Sequence, residues 1–146
     1  MADEYAVRID GLEELLRRFD QHDEVVRREL RRAMTRAVVG EVGRMPSYPP
    51  PPVGSTYRRT LQLGRSLTAM VGQAPNAAST VEGQGDTIRG IVGTNVVYAP
   101  FVVGQNQAKV HRGRWWRLEA SVLSHKAQIE AEFEDAAERI VEALAD

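Results

Sequence analysis

The chain has 146 residues, the size of one domain, with 42% apolar and 27% charged residues and a net charge of −1. It contains no cysteine, which excludes disulfides and thiolate metal sites, and its apolar runs are too short to cross a bilayer. The start, Met1 to Tyr5, lacks the basic region and apolar stretch of a signal peptide, so the expectation is folding in a reducing cytoplasm away from membranes. Charge is unevenly placed: residues 45–117 carry eight basic and two acidic residues, a balance of +6, and residues 118–146 carry two basic and eight acidic, a balance of −6. Such asymmetry bears on association and partners. It is open to three readings: the two segments face each other within one chain, they meet between neighbouring copies, or the basic middle binds nucleic acid.

In chain order, Tyr5, Val7 and Ile9 alternate with Ala6, Arg8 and Asp10, which predicts a short half-buried strand. Asp10 with Glu13 three residues later forms a helix start, and Leu12, Leu15, Leu16 and Phe19 share one face. Gln21-His22-Asp23 breaks the run, with Asp23 as the cap of a longer helix. Val26, Leu30, Ala33, Met34, Ala37 and Val38 carry its apolar face, and arginines alternate around them. The first third therefore reads as a strand followed by a long amphipathic helix or a helical hairpin. Residues 46–56 hold four consecutive prolines and cannot be helix or central strand, so a stiff extended loop is expected.

From Leu61 to Phe101 the texture becomes β-prone. Leu67–Val71, Ser79–Val81 and Thr87–Val92 are the expected strands, and Asn95–Phe101 is a further extended piece ending at Pro100. The connections are too short for parallel crossovers, so an antiparallel meander of three to four strands follows. Residues 104–116 read as an exposed loop. A single amphipathic helix from Leu118 to Leu144 closes the chain, with Leu118, Val122, Ile129, Phe133, Ala136, Ala137, Ile140 and Leu144 as its buried stripe. The whole is expected to be one α+β domain over residues 1–146.

Motifs for chemistry are sparse. Gly83-Gln84-Gly85 lacks the third glycine of a dinucleotide fingerprint and lies between strands, so it reads as a turn. His22, His111 and His125 are far apart, without the spacing of a zinc site, and neither Ser66 nor Ser124 has a recognisable base partner. No catalytic residue, metal or cofactor is expected. Two segments are unusual instead. Arginines 58, 59 and 65 follow the proline loop, and His111-Arg112-Gly113-Arg114-Trp115-Trp116 closes the exposed loop. Tryptophan, tyrosine and arginine are the usual anchors of protein interfaces, although the tryptophans also suit the chain's own core.

The chain resembles a family of neck and tail-completion proteins of long-tailed bacteriophages, which includes minor tail protein Z-like and head–tail joining components. The resemblance runs from Ile9-Asp10-Gly11-Leu12 and the arginine-rich helix through Tyr48-Pro49-Pro50, Tyr57-Arg58-Arg59-Thr60 and Leu63-Gly64-Arg65-Ser66. It continues with Gly93-Thr94-Asn95-Val96, Tyr98-Ala99-Pro100-Phe101-Val102 and the Gln107, His111, Trp115 stretch before an acidic helix. Leu61 departs from it, since the family often has glycine at that point. The lack of catalytic motifs, and not the resemblance, gives the expectation of no enzymatic activity. The resemblance implies a structural virion protein, a copy in a ring or docked on one, in the neck or tail. It would be present in the host cytoplasm during assembly and then in the particle, and would contact neighbouring neck or tail proteins and, transiently, exiting DNA. The expected interface residues are Arg58, Arg59, Arg65, Tyr98, Phe101, Gln107, His111, Arg114, Trp115 and Trp116. The alternative is a nucleic-acid-binding module using Arg58, Arg59, Arg65, Arg112, Arg114, Trp115 and Trp116.

Overall fold

The alternation at Tyr5 and Val7 does form a strand, β1 (Tyr5–Ile9), and the 3.6-residue periodicity that follows forms helix α1 (Asp23–Gly43). Next come α2 (Gln62–Leu67), β2 (Thr80–Gln84), β3 (Thr87–Thr94), a single turn α3 (Ala99–Val102), α4 (Leu118–Ser124) and α5 (Lys126–Ala145). These elements belong to a computed structural model that describes residues 5–9, 23–56, 59–84 and 87–145. The expected helix over Leu12–Phe19 and its break at Gln21-His22 lie outside the described residues, as do Gly85 and Asp86 of the expected turn.

The fold is α+β, with a three-stranded antiparallel sheet ordered β1-β3-β2. The N-terminal strand pairs with β3, Tyr5 opposite Thr94 and Ile9 opposite Gly90, while Gln84 opposite Thr87 closes the β2–β3 pair. Helix α1 packs against β3 and β2 and also runs along α5, so it lies at the centre of the domain. Its stripe of Val26, Leu30, Ala33, Met34, Ala37 and Val38 is at most 1% exposed. The close approach of α1 to the sheet requires Gly90, where a Cβ would stand 2.6 Å from Met34 Sδ and 2.8 Å from Val38 Cγ2.

Charged groups on α1 fix the helices around it. Arg139 Nε on α5 donates to Glu29 Oε2 at 2.8 Å, and Arg36 lies 3.9 Å from Glu132. The Arg139 hydrogen bond holds the Glu29 carboxyl below its ordinary value, against the opposing effect of burial. Glu41, 1% exposed, accepts from Arg44 Nη2 at 2.6 Å and lies 2.8 Å from His125 Nδ1. Removing one partner from such a buried carboxylate leaves an uncompensated charge, so this cluster is a structural tie.

Several expectations are corrected. Leu67–Val71 is not a strand, because Leu63, Ser66 and Leu67 recur at helical spacing and bury one face of α2 against β3. Met70 keeps only an isolated bridge to Ser79. Residues 95–101 do not continue as extended chain. Pro100 sits in the first turn of α3, where its missing N–H breaks no bond. The single C-terminal helix is two, α4 and α5, which meet at His125, the residue whose ring turns toward Glu41. The break lets α4 pack on β1 while α5 follows α1. On α5 itself Ala136 and Ile140 are buried, Ile129, Phe133 and Leu144 are half-buried, and Ala137 faces solvent. Among the described residues no helix is long and apolar enough to cross a membrane.

Candidate functional site

A proline segment has carbonyls but few donors, so its position depends on what donates to it. Over residues 46–52 the chain forms no helix or strand. Three side chains from elsewhere hold it: Trp116 Nε1 donates to the Ser47 carbonyl at 3.3 Å, Arg59 Nη1 to Pro49 at 2.6 Å and Arg114 Nη2 to Pro50 at 2.9 Å. A fourth tie runs the other way, from the Gly64 N–H to the Tyr48 hydroxyl at 2.5 Å. Gly64 is required there, since a Cβ would lie 2.9 Å from the Tyr48 ring.

The same residues pack ring against ring at tilted angles. Tyr48 and Trp115 have ring centroids 5.0 Å apart, and the Arg59 guanidinium carbon lies 5.3 Å from each centroid. Each such cation–π contact contributes about 0.5–2 kcal/mol. His111 meets the edge of Trp115 at 6.2 Å, and Trp116 follows at 6.4 Å. Beneath them Gln107 is 7% exposed, and its side-chain amide donates to the carbonyls of Val102, Trp115 and Trp116 at 2.7, 3.0 and 3.3 Å. One side chain thus clips both ends of the loop together. The expected exposed loop 104–116 is exposed at Gln105 and Asn106 and over most of 109–114, while Gly104 and Gln107 are buried and His111 and the two tryptophans half-buried. Burial of these residues supports the loop from below.

Between this knot and α3 lies a groove of about 440 Å³. Arg59, Arg114, His111 and Trp115 line it, together with Tyr48, Leu61, Tyr98, Phe101 and Val110. Four of its large apolar side chains stand in solvent: Leu61 at 46%, Tyr98 at 40%, Phe101 at 58% and Val110 at 62% exposure. Leu61 is also in the left-handed region, at φ 62°, immediately before α2. That conformation costs a non-glycine residue roughly 1–2 kcal/mol. The position where the resembled family often has glycine is therefore one that favours glycine, and here it carries an exposed leucine.

Of the expected interface residues, Arg59, Tyr98, Phe101, His111, Arg114 and Trp115 come together on the groove. Trp116 secures the proline segment beside it and Gln107 lies under the loop. Arg65 is exposed on α2, outside the groove lining, and Arg58 lies outside the described residues. Sequence reasoning gave no interface role to Leu61 and Val110, because isolated apolar residues in loops carry no periodicity. It passed over Tyr48 except as part of a family motif. The Glu41–His125 tie joins residues 84 positions apart and leaves no local pattern at all.

A second hollow, of about 570 Å³, lies between β1 and the loop and is lined by Tyr5, Arg8, Pro100, Gln105 and Glu119 among others. There Gln105 donates to Glu119, and burial together with the Glu119 carboxylate raises the Tyr5 phenol above its ordinary 10.0. The Ser66 hydroxyl is spent within the fold, on the Leu63 carbonyl at 2.8 Å and Thr94 Oγ1 at 2.6 Å. Among the described residues no three His, Asp or Glu side chains gather as metal ligands. No protein-family model, curated protein or solved structure matches the chain.

Proposed function

We propose that this chain is a structural assembly protein of a long-tailed phage, acting in the neck or tail, where copies form a ring that joins the tail to the head or completes it. The observation that supports this reading best is the groove. Its exposed leucine, phenylalanine, tyrosine and valine are flanked by arginines and held by a rigid hydrogen-bonded loop. Surfaces of that composition suit protein contacts, and rigidity lowers the entropy lost on docking. The segments that form the groove, Tyr48-Pro49-Pro50, Arg59-Thr60, Tyr98 to Val102 and Gln107 to Trp115, are also those that carry the family resemblance.

Deleting the gene from its phage genome and imaging the lysate tests the reading. The expected result is filled heads with detached or unfinished tails, restored by the wild-type chain and not by Phe101→Glu. Normal infectious particles from the deletion would overturn it.

A second reading, nucleic-acid binding, draws on the exposed cations Arg65, Lys109 and Arg112. Against it, Arg59 and Arg114 direct donors to proline carbonyls, and Trp115 packs against Tyr48 and Arg59. Duplex binding that falls steeply with salt would favour this alternative.

A further inference from the structure

We infer that the groove holds the outer face of helix α5 from a second copy of this chain, in a head-to-tail contact. This rests on the assembly reading above and names the two surfaces it would use. Charge points to this contact. Among the described residues, the ion pairs of the acidic helix run to α1 and along itself: Glu132 and Arg139 pair with α1, and Lys126 pairs with Glu130 along α5. Its remaining carboxylates, at Glu134, Asp135, Glu138 and Glu142, are all exposed. The segment that supplies the groove carries a balance of +6 and the segment that supplies α5 carries −6. The intramolecular explanation of that asymmetry therefore gives way to an intermolecular one.

Shape and polarity point the same way. Glu130, Glu134, Ala137, Glu138 and Val141 follow one another at helical spacing along a single exposed face. Val141 is 63% exposed, and Ala137, which the periodicity places with the buried stripe, is exposed beside it. A ridge on which the apolar Ala137 and Val141 alternate with carboxylates matches a groove whose apolar residues lie between arginines. Helix-in-groove recognition uses anchors at this spacing. A DNA backbone would leave Leu61, Phe101 and Val110 uncovered. Because groove and ridge are different surfaces, each contact leaves a free groove at one end and a free ridge at the other. Such heterologous contacts close into rings or run on as filaments.

Complementary mixing tests this directly. Phe101→Glu disables the groove, and the double substitution Glu134→Lys, Glu138→Lys disables the ridge. Both sets of side chains are exposed, so circular dichroism and melting temperature should be unchanged. In sedimentation velocity the wild type is expected to self-associate, and each variant alone to associate at least about thirtyfold more weakly. An equimolar mixture of the two should form a heterodimer and nothing larger, since one intact groove and one intact ridge remain. If either variant assembles like the wild type, or the mixture stays monomeric while the wild type associates, the docking surfaces are wrong and the assembly reading survives. A wild-type chain that remains monomeric overturns this inference, and duplex DNA binding lost on Phe101→Glu would replace it with nucleic-acid recognition.

Discussion

Helix α1 and the loop 104–116 are both tightly held, yet by different physics. In α1 the order comes from burial: six apolar side chains on one stripe are at most 1% exposed, against a sheet brought close by Gly90. In the loop it comes from donors aimed at carbonyls, locally from Gln107 and at long range from Arg114 and Trp116 to the proline segment. The first arrangement hides its apolar groups, whereas the second leaves Phe101 and Val110 in water beside it. The proposed assembly role draws on that uncovered groove, since exposed apolar patches favour contact with other molecules. The core explains stability and the loop explains what that stability presents.

Substitutions can break this contrast, beginning with the largest effect. Leu30→Ala removes a fully buried side chain from the centre of α1 and should cost about 2–5 kcal/mol in thermal or urea unfolding. Gln107→Ala strips the donor from three carbonyls and should cost about 1–3 kcal/mol, with a red shift of tryptophan fluorescence as Trp115 and Trp116 loosen. A larger loss for Gln107→Ala than for Leu30→Ala would show that the loop, and not α1, dominates folding.

Acid should weaken the α1–α5 contact. The Glu29 carboxyl titrates below its unfolded value of 4.5, so its contribution is fully present above that pH and is lost as pH falls through the lower folded value. The wild type should therefore lose on the order of 1 kcal/mol more than Glu29→Gln between neutral pH and about pH 3, read from paired urea melts. Equal acid losses would remove Glu29 from the account.

Leu61→Gly should act in the opposite direction. Relieving a left-handed leucine while adding the backbone freedom of glycine should raise stability by up to about 1 kcal/mol. The same change removes an exposed apolar lining residue, so weaker self-association alongside a higher melting temperature would sharpen the contrast between stability and contact. Smallest of all, Glu134→Ala on the exposed face of α5 should stay within about 0.5 kcal/mol of the wild type in stability.

The parts of the molecule legible in the sequence are those that repeat. The 3.6-residue recurrence from Val26 to Val38 and the alternation in β1 placed α1 and a strand correctly, and the run of prolines marked a segment without helix or strand. Short stretches failed where tertiary context overrode local propensity. Leu63, Ser66 and Leu67 have too few turns to declare a helix, and β-prone Thr68 to Val71 beside them suggested a strand instead. The aromatic–arginine residues were recognisable by type, but their convergence was not, because Arg114 reaches Pro50 across 64 positions and Trp116 reaches Ser47 across 69. Ala137 was misplaced because a helical wheel alone does not say how wide the covered stripe is, and α1 covers only the narrower side.

Hydrogen exchange measured on the wild type at low and high protein concentration tests most directly the claim that the groove and the outer α5 face, and not the core, make the contacts. The account predicts that added protection at high concentration falls on residues 98–114 and 130–142, while amides of α1 and β3 exchange alike in both conditions and Phe101→Glu shows no gain. Protection that appears elsewhere, or none at any concentration, would contradict it.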